Sequence, residues 1–454
     1  MLKQKTFWTF SVLSLAMGSV MAGVSADEAK KLGTSLTLVG AEVAGNADKT
    51  IPPYTGGLTT PPTDYKRGSG VRPDPFAAEK PLYSITGANA AQYEGKLSAG
   101  TRELLKRHPG MRVDVYPTHR TAAYPKFVLD NSLKNAMAVK TTDGGLGLEG
   151  TYAGVPFPIP KTGQEAMWNH LLRYAGHTYT SKYDSINVNA SGSAVLATTG
   201  EITVEYPYYD PKRTGQSAAK DIYFRTKVAY TAPARRAGEA LLVQDYINVL
   251  ENPRKAWQYL PGQRRVKMSP ELGYDTPNAA TAGNSTYDDS YVFSGGMDRF
   301  DWKLVGKKEL LVPYNAFKLA YAKDPYAVTT PNHIHPDYLR WELHRVWVVE
   351  ATLKEGKRHI YAKRTFYLDE DSWYALASDQ YDARGQLYRA GFMAFTPFYE
   401  QPAPGSTSQF FYDFATGSYN VIGLLGAYPT GLKFIDALPE RQWSADALAG
   451  AGVR

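Results

Sequence analysis

The sequence contains no cysteine. Disulfides, Cys-based zinc centres, thiol nucleophiles and a lipid anchor on an N-terminal Cys are excluded together. Charge of one sign is also scarce: 51 Lys+Arg stand against 44 Asp+Glu, a net +7 spread along 454 residues. A nucleic-acid binder gathers its basic residues into a patch, and no such run exists here. Beyond residue 26 no stretch approaches the roughly 18 uncharged apolar residues of a spanning helix. What the chain has in excess is tyrosine: 33 of them carry most of an aromatic content of 13%. Tyrosine favours strands and surfaces with one apolar and one wet side. With 43% hydrophobic and 21% charged residues, the chain can bury a large core.

The one apolar run lies at the start. In MLKQKTFWTFSVLSLAMGSVMAGVSA, Lys3 and Lys5 precede an uncharged stretch from Phe7 to Val20, and Val24 and Ala26 put small residues before Asp27. This is the pattern of a Sec-type signal peptide over residues 1–26. The expected address is the periplasm, with association with the outer membrane left open. Residues 46–82 are rich in Pro, Gly and Thr, with Tyr54, Tyr65, Phe76 and Tyr83 as anchors. They read as part of an extended arm over 27–90 that wraps a body formed by 91–454.

Helix signals are few. Ser98 caps TRELLKR, which stops at His108-Pro109-Gly110; Thr162 and Glu165 open AMWNHLLRYAG, with Gly176 as its stop. DEAKKLG after residue 26 suits a short helical turn. From about residue 194 strand signals dominate, from ITVEY and DIYFRTKVAY to GQLYRAGFMAF and QFFYDFATG, joined by short turns such as Asp382-Ala383-Arg384-Gly385. Ile222, Phe224, Val228 and Tyr230 share a face opposite Arg225 and Lys227; Leu241, Val243, Ile247 and Val249 share another, as do Trp347, Val349 and Leu353. One apolar face on many antiparallel strands needs a cover, and few helices are available. The fold class is therefore mostly β: a large curved antiparallel sheet with a few covering helices.

Catalytic and metal motifs are weak. Gly145, Gly147 and Gly150 satisfy G-x-G-x-x-G, but the prolines of TYAGVPFPIP deny the helix a dinucleotide needs, so a turn between strands is the better account and no cofactor is expected. His333, His335 and His344 have loose metal-ligand spacing, yet Pro331 and Pro336 bracket the first two; no metal is expected. No G-x-S-x-G, S-x-x-K or H-E-x-x-H occurs. Asp288-Asp289, Asp298, Asp301 and Asp369-Glu370-Asp371 fit ion pairs with Arg299, Arg264 or Arg265 better than a glycosidase pair. One of Arg264 and Arg265 is expected to hold Asp288, Asp289 or Asp298, and no catalytic centre is expected.

Longer segments carry a resemblance. YLPGQRRVKMSP (259–270), STYDDSYVFSG (285–295) and DWKLVGKKELLVPYN (301–315) resemble LolA-like outer-membrane lipoprotein-sorting proteins. LGTSLTLVGAEVAGNADKTIPPYTGGL (32–58), RWELHRVWVVEATLKEGKRHIYAKRTFYLDEDSW (340–373) and YDARGQLYRA (381–390) are similar to a periplasmic branch known only as domain of unknown function 1329. The resemblance implies an incomplete barrel with helices over its concave side. It further implies a lipid or other hydrophobic small molecule in the hollow, and work beside an RND/MMPL-type exporter and an outer-membrane protein. The chain departs from lipoproteins of that fold in lacking cysteine. The residues expected to line the hollow are Phe224, Leu241, Val243, Ile247, Trp347, Val349 and Trp373, although each tryptophan also suits a dry core. A scaffold bridging exporter and outer-membrane protein without cargo, and an exported hydrolase, are the competing functions.

Overall fold

The computed structural model describes residues 24–451. The signal-peptide reading falls almost wholly on residues 1–23, outside that range. Just after them, Ser25 caps a single helical turn, Ala26–Ala29, by accepting from the Glu28 N–H. No helix among the described residues is long and apolar enough to cross a membrane.

The body is one sixteen-stranded sheet made of two meanders. The first runs through β1 (Thr178–Val188), β2 (Ala194–Glu205), β3 (Ile222–Ala232), β4 (Ala240–Tyr246), β5 (Lys255–Leu260) and β6 (Arg265–Met268). The second runs through β7 (Phe300–Pro313), β8 (Trp341–Leu353), β9 (Lys363–Asp369), β10 (Ala375–Tyr381), β11 (Leu387–Phe395), β12 (Ser406–Asp413) and β13 (Ser418–Leu424). Each strand pairs antiparallel with the next in its meander, and the two meanders meet where β13 pairs with β1. The edges, β6 and β7, do not pair, so the sheet stays open. Three short strands complete it. Leu432–Phe434 continues the β13 side of β1, while Tyr83–Ile85 pairs with Val113–Val115, which touches the start of β8 in the one parallel pairing of this sheet. The expected mostly-β open sheet is what forms, mixed rather than purely antiparallel at that single bridge.

Alternation decides which side each strand shows. On β3, Phe224, Val228 and Tyr230 face inward; Arg225 faces out, bonded to Glu205 at 2.6 Å and lying over Trp443. On β4, Leu241 and Val243 face inward, while Leu242 packs outward under the C-terminal helix Ala445–Ala451. There are three longer helices: α1 (Ala99–Arg107) and α3 (Gly163–Leu171) sit on the sheet, and α2 (Lys126–Ala138) packs on the segment 152–155. Helix α3 is buried almost all round, with Trp168 and Met167 fully covered, and lies against β7 at Gly163. The glycine-rich segment forms a 3-10 turn, Asp143–Gly145, between two short strands, Lys140–Thr142 and Gly147–Glu149.

The Pro-rich N-terminal stretch packs closely on the body. Tyr54 donates to Ala122 O, Tyr65 meets Tyr399 edge-on, Phe76 stacks on His119 and Tyr83 stacks on Tyr93. Arg72, almost wholly buried, pairs with Glu400 and lies over Phe398.

Candidate functional site

The six strands β12, β13, β1, β2, β3 and β4 are consecutive neighbours, and all contribute to one cavity of about 150 Å³. Flat, six strands about 4.8 Å apart would span roughly 24 Å, nearly four times the width of such a space, so the sheet curls around it. Phe224, Val228, Leu241, Val243, Ile202 and Ile422 form much of its wall. The opposite side is lined by the segment 278–294, which contributes Ala280, Tyr287 and Tyr291.

That covering segment is pinned by buried charge. Arg364 on β9 donates to Asp288 at 2.8 Å and to Asp289 at 2.7 Å, and Tyr361 donates to Asp289 at 2.7 Å. Burial alone would raise the Asp288 carboxyl, but Arg364 and His359 hold it well below the usual range. The partner expected in sequence, Arg264 or Arg265, is not the one used. Both lie exposed at the turn into β6, with Arg264 at φ 49°, on an edge strand that partly buries only Val266, against the C-terminal cluster, and so turns both arginines to solvent. Losing Arg364 would strand two buried carboxylates, a cost of about 3–5 kcal/mol.

At the cavity itself the cover is strained. Tyr291 and Val292 are consecutive residues at φ 57° and 68°. A left-handed conformation costs an L-residue about 1–2 kcal/mol, and more for a β-branched one. The strain is held by Gln409, whose side chain accepts from the Tyr291 N–H at 2.6 Å, and by packing of the Tyr291 ring against Phe224. The wall carries almost no charge. Burial raises the hydroxyls of Tyr179, Tyr183, Tyr287 and Tyr291, which keeps them neutral, and Arg254 is paired with Asp245 at 2.7 Å.

Of the seven residues expected to converge, Phe224, Leu241 and Val243 line this cavity. The other four do not. Ile247 follows the end of β4 and is fully buried where the chain turns away; Val349 is fully buried on β8. Trp347 stacks on Trp373 at 6.2 Å, and Trp373 donates to Val39 O, so the pair packs beneath the N-terminal stretch. Trp302 and Trp257 also lie elsewhere. Among the residues that sequence reading missed are Tyr179 and Tyr183 on β1, Ile202 on β2, Ile422 on β13, and Tyr287 and Tyr291 on the cover. The i, i+2, i+4 spacing of Tyr179, Ser181 and Tyr183 was the available signal.

The remaining chemical candidates are dispersed. His333 lies beside His108, with ring centres 6.1 Å apart, whereas His344 stacks on Tyr314 and bonds to Glu342. His344, Asp369 and Asp371 bring donor atoms within 4.8 Å of one another and are the residues that could hold a small cation. They also belong to an ion-pair network in which Arg120 holds Asp371 at 2.6 and 2.8 Å. Burial and the neighbouring Asp371 push the Asp369 carboxyl up to about 7.

Comparison with known proteins places the chain. It is 41% identical over 458 residues to an uncharacterized protein of Pseudomonas aeruginosa, covering 97% of both chains. Among solved structures it is similar to a putative outer membrane lipoprotein-sorting protein domain from Vibrio parahaemolyticus, at 15% identity and TM-score 0.43 over 63% of this chain and 97% of that one. It is also similar to a DUF1329 family protein from Desulfovibrio piger, at 17% identity and TM-score 0.41 over 60% and 92%. A LolA superfamily protein from Nitrosomonas europaea follows, at 12% identity and TM-score 0.38 over 63% and 99%. The model of the family described as "Protein of unknown function (DUF1329)" matches residues 84–449, and the chain belongs to that family.

Proposed function

We propose that the protein is a periplasmic carrier that takes an apolar ligand into the cavity between β1–β4, β12–β13 and the segment 278–294. The observation that supports this most directly is the wall: aliphatic and aromatic side chains from five of the six strands face a space they do not fill, with β12 adding Ser406, Thr407 and Gln409. Apolar area removed from water there contributes about 25 cal/mol per Å². A cavity of about 150 Å³ suits a ligand the size of a small ring, so a longer chain enters only as the strained Tyr291–Val292 cover shifts. The leader-like residues 1–26 support delivery across the inner membrane. Transport towards or across the outer membrane, beside an RND/MMPL-type exporter and an outer-membrane protein, belongs to the same proposal.

The test is saturable uptake of a fluorescent fatty acid by the purified mature protein. Val243→Lys places a charge against the apolar wall, where it is unpaired or displaces the ligand. Uptake is expected to vanish while the melt stays close to wild type. A wild type that takes up no lipid overturns the carrier reading, and a collapsed melt of the variant with normal wild-type uptake moves Val243 into the packed core.

A further inference from the structure

Arg173 stands two residues past the end of α3 with 3% of its surface exposed. Eight other arginines are buried among the described residues, and each holds a carboxylate. Arg173 holds none. Its Nη1 donates to His170 O at 2.8 Å, and its plane lies over the Tyr291 ring at 4.6 Å and the Tyr374 ring at 5.1 Å. These contacts fix the guanidinium in place but leave its charge unmatched, and its buried Nε has no partner. The hydroxyl of Tyr206, a neighbour of the guanidinium, is likewise buried without a partner. Tyr291 and Tyr179, also beside Arg173, are cavity-wall residues. The apolar cavity is therefore backed by an uncompensated cation and an unmet hydroxyl, with no acid between them.

A buried cation with unused donors is complemented by an anionic oxygen. We propose that Arg173, with Tyr206, receives the anionic head group, carboxylate or phosphate, of an amphiphile whose apolar part occupies the cavity. The inference rests on the carrier reading and narrows its ligand class. Tyr291 lies between the cavity and the guanidinium, so the head group reaches Arg173 as Tyr291 swings aside from its strained position.

The experiment compares dodecanoic acid, dodecyl phosphate, 1-dodecanol and inorganic phosphate as displacers of a fluorescent probe from the full mature chain. Wild type is expected to bind the two acids about tenfold or more tightly than the alcohol. Arg173→Met should erase that preference while keeping the affinity for dodecanol, and Arg173→Lys should restore part of it. Tyr206→Phe should weaken the acids alone. Equal binding of acid and alcohol by wild type overturns this inference and leaves the carrier reading standing. Binding of neither sinks both. Inorganic phosphate competing as well as dodecyl phosphate overturns the amphiphile in favour of a free-anion site. If Arg173→Met does not fold, the wild-type head-group preference and Tyr206→Phe still decide, since an unchanged Tyr206→Phe profile excludes the hydroxyl from the site.

Discussion

At the scale of single residues, the interior is organised by how each buried ionisable group is satisfied. His170 shows it best. Its Nδ1 accepts from the Ala375 N–H at 3.0 Å, so Nε2 carries the proton and donates to Phe293 O at 2.9 Å. Burial, helped by the charge of Arg173, lowers the imidazole to about 3. The unfolded chain takes up the proton near pH 6.5, so the folded state binds fewer protons between those values. The stability due to neutral His170 is complete above about pH 6.5 and is lost as pH falls towards about 3, at no more than about 1.4 kcal/mol per pH unit. His170→Gln can replace both hydrogen bonds without titrating. The stability difference between wild type and H170Q, from urea midpoints at pH 7 and pH 4.5, should therefore change with pH. Parallel losses in the two proteins would show that His170 does not titrate in this window.

At the scale of elements, the seam strand β13 depends on one glycine. Gly423 sits at φ 85° in the bulge between Ile422 and Leu424, and a Cβ there would stand 1.7 Å from Thr407 O. Gly423→Ala should cost at least about 1–3 kcal/mol, read as a fall in the denaturation midpoint, because both backbone strain and a steric clash are imposed. A midpoint within error of wild type would mean that the bulge relaxes freely. Elements were legible in sequence where pattern and packing agree. Phe224, Val228, Leu241 and Val243 announce their face by strict alternation, and Ser98 announces α1, accepting from Thr101 N–H at 3.1 Å. Helix α2 was not legible because its buried stripe is polar: Ser132 and Asn135 face inward to bond the segment 152–155, while Leu133 and Met137 are exposed. Strand β1 was masked in the same way by Thr180, Ser181, Lys182 and Asp184. The cavity's cover was hidden for another reason. Tyr287 and Tyr291 reach the wall from a loop, and no periodicity marks a loop residue as a lining one.

At the scale of the whole molecule, the two meanders form one sheet only through β1 and β13. Asn420 bridges them with its side chain, donating to Ser185 Oγ and Ile186 O, both at 2.9 Å. A chain ending at Asp413 lacks β13 and leaves β1 with an unpaired edge along Asp184–Val188. Such an edge is a template for self-association. That truncation should elute from size exclusion as aggregate, whereas a well-folded monomer would show that each meander stands alone.

The seam also sets an order. Val188 and Ser418 are about 230 residues apart, so a chain that emerges N-terminus first presents the whole first meander before the strand that pairs with it. Until that strand arrives the first meander exists without the neighbour that closes it, and the cavity between them has no second wall. Contacts between such distant segments form slowly, so the hollow is the last part of the molecule to be built. A newly made chain must stay sheltered until its final strands arrive.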